Sequence, residues 1–181
     1  MKSTSSGGRR LRLGVACLLA GIGLRAFAAP SDGRTLYVSA SAGSDANDGL
    51  TWDSAKASIQ AAIDAAQGGD RISVTNGVYG TIDVGLKNVS IVSVNGPETT
   101  VIDGRGEARC ATFDLDNEDA KLVGFTLRNG EAVEGGGVYG GSLDRCIIRN
   151  NHASDYWTTS LNYPSRRLGG VGGGAYSSKL D

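Results

Sequence analysis

Histidine, basic patches and long hydrophobic segments are scarce in this sequence of 181 residues. Its one histidine, His152, has no cluster of metal-ligating residues beside it, so we interpret it as a turn residue rather than a catalytic base. No basic patch or run of one charge stands out, which argues against a nucleic-acid partner. The apolar run from Leu13 to Leu24 is too short for a permanent membrane anchor.

The amino-terminal segment is organised as a secretory signal peptide. Basic residues precede the apolar run, and Ala26-Phe27-Ala28 offers a small-x-small cleavage site. We predict a signal peptide over residues 1–28, and hence a secreted or cell-surface protein with no membrane span in its mature chain. Five of the 18 basic residues lie in this leader, so 13 remain against 19 acidic residues and give the mature chain a net charge of −6. About 150 residues remain, enough for one domain with a core.

Two cysteines, Cys110 and Cys146, remain in the mature part. Export permits a disulfide between them. However, Cys146 lies in an apolar strand pattern, where a free thiol packs as a small hydrophobic group. We therefore favour two buried thiols over a bridge.

A repeat with an offset of 21 residues joins LVGFTLRNG (122–130) to LDRCIIRNN (143–151). The equivalent positions are Leu122 and Leu143, Phe125 and Cys146, Leu127 and Ile148, Arg128 and Arg149, and Asn129 and Asn150. This period lacks the leucine spacing and helical half of a leucine-rich repeat. It predicts a parallel β-helix, in which each short strand pairs with its equivalent one coil later at ~4.8 Å. Asn129 and Asn150 should then stack through their amides.

A glycine triplet also recurs, in GGGVYGGSLD (135–144) and GGGAYSSKLD (172–181). Glycine permits positive φ and close approach of backbones, so we interpret each triplet as a coil corner, and we expect Tyr139 to stack on Tyr176. The two triplets are separated by more residues than the offset of 21 in the other repeat. The extra residues predict a loop insertion near 152–171.

Upstream segments predict further strands and one helix. RISVTNGVY (71–79), VSIVSV (89–94), TVIDG (100–104) and ATFDLD (111–116) are short strand patterns broken by turn residues. In SIQAAIDAAQGG, Ser58 can cap a helix and Gly68 can end it, with one apolar face formed by Ile59, Ala62, Ile63 and Ala66. We assign 29–70 to an N-terminal cap strand and helix. Residues 71–181 then form about three to four coils of an all-β solenoid.

The segment LYVSASAGSDANDGLTWDSAKASIQAAIDAAQGGDRISVTNGVYG (36–80) resembles the N-terminal cap of secreted right-handed parallel β-helix proteins, the pectate-lyase-like superfamily. The later repeats are similar to those of bacterial polymorphic outer-membrane-protein-like surface proteins. This resemblance implies a right-handed parallel β-helix and export. Such proteins usually run for many coils, whereas this sequence stops mid-repeat at Asp181. We therefore expect a C-terminally incomplete fragment.

The resemblance also implies one possible chemistry, because lyases of this superfamily act by β-elimination on uronate polymers. That reaction needs carboxylates, Ca²⁺ and a basic residue. The candidates are Asp114, Asp116, Lys121 and Arg128, with Arg149 as a further basic partner. If Phe113 and Leu115 point inward, both aspartates point outward on one face, roughly 7 Å apart. The alternative, which we favour, is that all of them are solvated residues on an outer sheet face.

A calcium loop is a second possibility, at DANDG (45–49). Asp45, Asn47 and Asp48 are possible ligands, but their spacing does not match the EF-hand pattern. Asx side chains in a tight turn produce the same sequence without a metal. We therefore predict no cofactor and keep calcium as the alternative.

The predicted insertion carries aromatic and basic residues, namely Tyr156, Trp157, Tyr163, Arg166 and Arg167. Aromatic faces stack on sugar rings and arginines pair with acidic groups, so these residues are candidates for ligand binding. Alternatively, the rings fold back over the open coil end.

Three functions follow from these patterns. The first is an exported, monomeric β-helix protein that binds a polysaccharide, a surface glycan or a protein partner without catalysis. The second is the N-terminal piece of a polysaccharide lyase or hydrolase, and the third is a structural stalk or passenger. The few predicted coils give a groove of only about 15–20 Å, which is short for a polymer-cleaving cleft. We therefore favour the first.

Overall fold

A computed structural model of the protein describes residues 33–117, 119–154, 156–160, 163–168, 173–176 and 178–180. The predicted signal peptide lies outside these residues. The described chain is mostly β-structure with one helix, α1 (Ile59–Ala65). Within it, no helix has the length and apolar character needed to cross a membrane.

The strands are short and number eighteen among the described residues. They are β1 (Thr35–Val38), β2 (Arg71–Val74), β3 (Gly77–Tyr79), β4 (Ile82–Gly85), β5 (Ser90–Ser93), β6 (Thr100–Asp103), β7 (Ala111–Phe113), β8 (Lys121–Val123), β9 (Thr126–Arg128), β10 (Glu131–Ala132), β11 (Val138–Tyr139), β12 (Ser142–Asp144), β13 (Ile147–Arg149), β14 (His152–Ala153), β15 (Tyr156–Ser160), β16 (Tyr163–Leu168), β17 (Ala175–Tyr176) and β18 (Lys179–Leu180).

Parallel sheets dominate this architecture. The first sheet has the order β1-β2-β5-β8-β12-β18, the second has β3-β6-β9-β13, and the third has β4-β7-β11-β17. A small parallel pair joins β10 to β14. From β2 to β9 the chain visits the first, second and third sheets in turn and then returns to the first. Each return adds one strand to each sheet, an arrangement compatible with a β-helix or solenoid.

The register confirms the repeat that the sequence predicted. Leu122 pairs with Leu143, and Leu127 pairs with Ile148. Phe125 and Cys146 directly precede the register pair of Thr126 and Ile147. Positions 21 residues apart in the sequence therefore lie on neighbouring strands.

The two predicted ladders have different outcomes. Tyr139 pairs with Tyr176, and their rings stack with centroids 5.4 Å apart and planes inclined by 21°. Asn129 and Asn150 both adopt positive φ, 53° and 54°, at equivalent corners. The predicted amide stacking is wrong, because Asn129 Nδ2 donates to Asp103 Oδ1 at 3.1 Å instead.

The core is built from columns of apolar side chains that cross the strands. In the first sheet, one column runs through Leu36, Ile72, Ile91, Leu122 and Leu143, and none of these side chains is more than 1% exposed. Burying each stabilises the fold by about 1.5–3 kcal/mol, as an upper bound. Cys110 and Cys146 are free thiols rather than a bridge; Cys110 is buried as predicted, whereas Cys146 is only half-buried.

Helix α1 packs against the first and third sheets through its predicted apolar face. Ser58 caps it, since Ser58 Oγ accepts a hydrogen bond from the Ala61 N–H at 3.1 Å. The helix ends at Ala65 rather than at Gly68, because Ala66 turns to an extended conformation. Gln60 then pairs with the edge strand β4, accepting from Asp83 N at 2.8 Å and donating to Asp83 O at 3.1 Å.

The first glycine triplet lies at a close approach of neighbouring stretches of backbone. Gly135 has φ of 56°, which favours glycine. A Cβ on Gly136 would lie 2.0 Å from the carbonyl oxygen of His152, and one on Gly137 would lie 2.2 Å from that of Gly174. The triplet is therefore required by packing between coils as well as by a turn.

The structure differs in two details from the loop insertion predicted near 152–171. His152 and Ala153 form β14, in parallel register with β10, so the coil continues to Ala153 and His152 is not a turn residue. The insertion itself contains an antiparallel hairpin of β15 and β16. A hairpin satisfies its own backbone hydrogen bonds, which an irregular loop of this length would leave to solvent.

Candidate functional site

A cavity of about 610 Å³ opens on the outer side of the third sheet. Its lining consists of Asp83, Gly85, Thr112, Phe113, Asp114, Leu115, Asp116 and Tyr139. We call it the acidic cavity because three of these side chains are aspartates. It includes two of the residues that the sequence singled out for catalysis.

One column of the third sheet forms the floor of the acidic cavity. Asp83 pairs with Thr112, Thr112 pairs with Tyr139, and Tyr139 pairs with Tyr176. The preceding residue on each strand is apolar, and Ile82, Ala111 and Val138 are buried in the core. The alternation of a β-strand thus directs the polar column outward and the apolar one inward.

Tyr139 presents its edge rather than its ring face to this cavity. Tyr176 covers one face of the ring, and the guanidinium of Arg109 lies 4.8 Å from the ring centroid. Two rings 5.4 Å apart leave no room for a guanidinium between them, so Arg109 covers the other face. Arg109 is itself fixed by Thr112 Oγ1 at 3.3 Å and the Glu134 carbonyl at 2.7 Å. The column therefore offers hydrogen-bonding groups rather than a stacking surface.

The acidic rim comes from a turn and not from a strand. Strand β7 ends at Phe113, Asp114 Oδ1 accepts from Asp116 N at 3.0 Å, and Leu115 is 52% exposed. The prediction that both aspartates follow an outward strand face is therefore wrong. The Asx turn ends the strand, and Asn117 Nδ2 anchors it to the Gly85 carbonyl at 2.9 Å.

The basic residues predicted to accompany these aspartates lie elsewhere. Lys121 is exposed on β8 of the first sheet. Arg128 lies on β9 of the second sheet, where its Nε donates to Asp103 Oδ2 at 2.8 Å, and Arg149 is its exposed neighbour in register. Burial opposes ionisation of Asp103, but hydrogen bonds from Arg105 N, Asn129 and Arg128 outweigh it and lower its pKa. The structure does not bring the acidic and basic candidates together.

In the loop considered for calcium, the ammonium group of a lysine lies among the oxygen atoms that would otherwise face a metal ion. Lys56 is only 7% exposed, and its Nζ donates to the carbonyl oxygens of Asp45 at 3.1 Å and Asn47 at 2.7 Å. Asp45 accepts from the N–H groups of Ala57 and Ser58, which lower its pKa. Among the described residues, no group of three or more histidine, cysteine or acidic side chains is arranged to hold a metal ion.

Asp48 and Asn47 are likewise engaged within the cap. Asp48 Oδ1 accepts from Leu50 N at 2.9 Å and from Ser54 Oγ at 2.6 Å, and these bonds lower the Asp48 pKa. Asn47 Nδ2 donates to the Ala55 carbonyl at 3.0 Å. Asp45, Asn47 and Asp48 therefore hold together the segment from 45 to 58 by hydrogen bonds within it.

The predicted ligand-binding residues of the insertion lie on the two strands of the hairpin. Trp157 pairs with Arg167, Tyr156 with Leu168, Thr158 with Arg166, and Ser160 with Tyr163. Only the backbone of this hairpin is described, so the binding role of the side chains stays a prediction.

Sequence reasoning missed Asp83, Thr112 and Arg109 as parts of a site. It also missed a second cavity, of about 470 Å³, lined by Asp103, Arg105, Asn129, Glu131, Asn150 and His152. Here Glu131 and His152 are direct register partners on neighbouring strands. Only the strand register brings these residues together.

No protein-family model matches this chain, and no curated protein or solved structure shows significant similarity to it. Its chemistry must therefore be inferred from its own residues.

Proposed function

We propose that the chain is an exported right-handed parallel β-helix of about three to four coils that binds a glycan in the acidic cavity, without catalysis. Export rests on the amino-terminal sequence pattern, and handedness rests on the strong preference of parallel crossovers for the right-handed connection. The observation that carries the binding function is the cavity itself. It joins the carboxylate of Asp83 and the hydroxyls of Thr112 and Tyr139 on one sheet to the carboxylates of the turn after β7.

The cavity suits a carbohydrate in size and chemistry. A volume of about 610 Å³ lies within the range of small-molecule sites. Asp83, Asp114 and Asp116 can accept hydrogen bonds from sugar hydroxyls, and Thr112 can donate or accept. The exposed Leu115 can cover the C–H groups of a ring. Because the carboxylates repel other anions, a neutral glycan fits better than a uronate polymer.

Catalysis has less support from the residues of this cavity than glycan binding has. β-Elimination requires a basic group beside the reacting carbon. Lys121 and Arg128 lie on other sheets, and Arg109 is engaged with Thr112 and Tyr139. A structural stalk, which would bind no glycan, is the remaining alternative.

A glycan array with matched variants tests this function. Wild type should retain one class of neutral glycans, and the triple change Asp83→Asn, Asp114→Asn and Asp116→Asn should weaken that binding. Loss of one charge-assisted hydrogen bond costs about 1.5–3 kcal/mol, or roughly tenfold or more in Kd. The control Glu98→Gln changes an exposed acidic residue outside the cavity.

Two results would contradict this function. Absence of binding to every glycan would favour the stalk. Release of unsaturated uronides from pectate or alginate, detected by ultraviolet absorbance and lost in the triple variant, would favour the lyase.

A further inference from the structure

The N-terminal cap displays its own aromatic surface, separate from the acidic cavity. Trp52 is 43% exposed and Leu50 is 46% exposed, and both lie in the cap loop, residues 48–54. The Trp52 ring packs on Tyr37 of β1 with centroids 4.5 Å apart and planes inclined by 56°. No described residue covers the remaining indole surface. Exposing two large apolar side chains of one loop costs solvation free energy.

The cap loop is held rigid around this surface. Thr51 and Ser54 exchange hydrogen bonds, with Thr51 N donating to Ser54 Oγ at 3.2 Å and Ser54 N donating to Thr51 Oγ1 at 3.1 Å. Gly49 N donates to the Ser54 carbonyl at 2.9 Å, and Tyr37 N donates to the Gly49 carbonyl at 2.8 Å. None of these bonds uses the Trp52 side chain. The loop is therefore preorganised to present the indole, which lowers the entropy cost of binding.

The size of the surface selects the kind of ligand. An aromatic side chain has about 150–250 Å² of surface, so the exposed part of Trp52, 43% of the residue, amounts to roughly 65–110 Å². A stable protein interface needs about 800 Å² from each partner. The surface is too small for such an interface, but it matches the face of a single sugar ring.

Polar groups at the border complete this match. Asp53 is exposed beside Trp52 in the chain, and Arg71 is exposed on β2, where it pairs with Thr35, two residues from Tyr37 on the same strand face. A sugar lying on the indole presents its C–H groups to the ring and its hydroxyls to the border. A pyranose with equatorial hydroxyls has such an apolar face.

We propose that Trp52, with Tyr37 behind it and the exposed Leu50 in the same loop, is a second carbohydrate-binding site that stacks on a neutral pyranose with equatorial hydroxyls. This inference rests on the glycan-binding function proposed above and adds its sugar class. Two sites on one rigid body would hold a polysaccharide more strongly than either site alone.

Tryptophan fluorescence tests the inference directly, because the chain has only two tryptophans, Trp52 and Trp157. In the full chain carrying Trp157→Phe, Trp52 is the sole indole reporter. Titration with cello-, xylo- or chito-oligosaccharides should give a saturable shift of its emission. In the chain that keeps Trp157, Trp52→Ala should weaken retention on the matching insoluble polysaccharide at least tenfold, whereas Trp52→Phe should keep most of it. Thermal melting confirms that each variant is folded.

The outcomes separate this site from the acidic cavity. An emission shift that persists in the triple carboxamide variant supports the second site even if the cavity binds nothing. The inference is overturned if no neutral oligosaccharide changes the Trp52 emission, whether or not the acidic cavity binds a glycan. It is also overturned if Trp52→Ala abolishes a concentration-dependent self-association, because the surface would then contact a second copy of the chain.

Discussion

Replacing Gly136 by alanine tests the close approach of neighbouring coils. The added Cβ would lie 2.0 Å from the carbonyl oxygen of His152, a backbone atom that cannot rotate away. Since real Cβ contacts are essentially never shorter than 3.0 Å, the two coils must separate by about 1 Å at this point. Gly136 does not have positive φ, so the effect is steric.

The structure gives the size of this effect. Overpacking a tight site costs about 1–3 kcal/mol. Separation also weakens two bonds between these coils at this corner, from Gly137 N to the Gly173 carbonyl at 3.0 Å and from His152 N to the Gly130 carbonyl at 2.8 Å. Each contributes about 1 kcal/mol. The free energy of unfolding should therefore fall by about 3–5 kcal/mol, which lowers Tm by roughly 10 °C.

Urea denaturation and thermal melting measure this change against a matched control. At Gly80, a Cβ would meet nothing within 4 Å and φ is not positive. Gly80→Ala should therefore be neutral, or stabilising by about 0.4–1 kcal/mol through the unfolded state. A Gly136→Ala variant with the same Tm as the Gly80→Ala control would refute the close backbone packing described above.

Three further predictions concern buried polar groups. Burial opposes ionisation of Asp70, but bonds from Gln67 N and Arg34 outweigh it and lower its pKa, so this carboxylate stabilises the fold above its unfolded pKa. Stability should fall as the pH drops below about 4, and Asp70→Asn should lose about 1–3 kcal/mol at neutral pH and flatten that acid dependence in urea melts. Lys56→Met should lower the free energy of unfolding by about 1.5–3 kcal/mol in the same assay, since it removes two charged hydrogen bonds within the cap. Burial raises the pKa of the Cys110 thiol to about 11, so native protein should leave it unmodified by iodoacetamide at neutral pH, and rapid alkylation seen by mass spectrometry would contradict this.

The parallel pairing of strands 21 residues apart was predictable because residues in register have the same chemical character. Leu122 and Leu143 align in sequence and in space because one column of the core demands an apolar side chain from each coil. Ser58 marked the start of α1 because capping is local. Local features, such as a helix cap, and contacts between equivalent positions of the repeat can therefore be predicted from a single sequence.

Contacts between unlike positions could not be predicted in this way. The alternating pattern ATFDLD continues past Phe113, but the strand ends there because Asn117 bonds to the Gly85 carbonyl, 32 residues away. The acidic cavity likewise combines Asp83, Thr112 and Tyr139 from three coils. Their spacing carries no local pattern, so only the register reveals the site.

The pairing of Gln60 with strand β4 has a consequence for synthesis on the ribosome. The edge of a parallel sheet can recruit other chains through its free backbone groups. Because α1 precedes β4 in the chain, the side chain that blocks this edge emerges before the edge exists. A nascent chain is thus shielded from its neighbours at this edge as soon as its first coil closes.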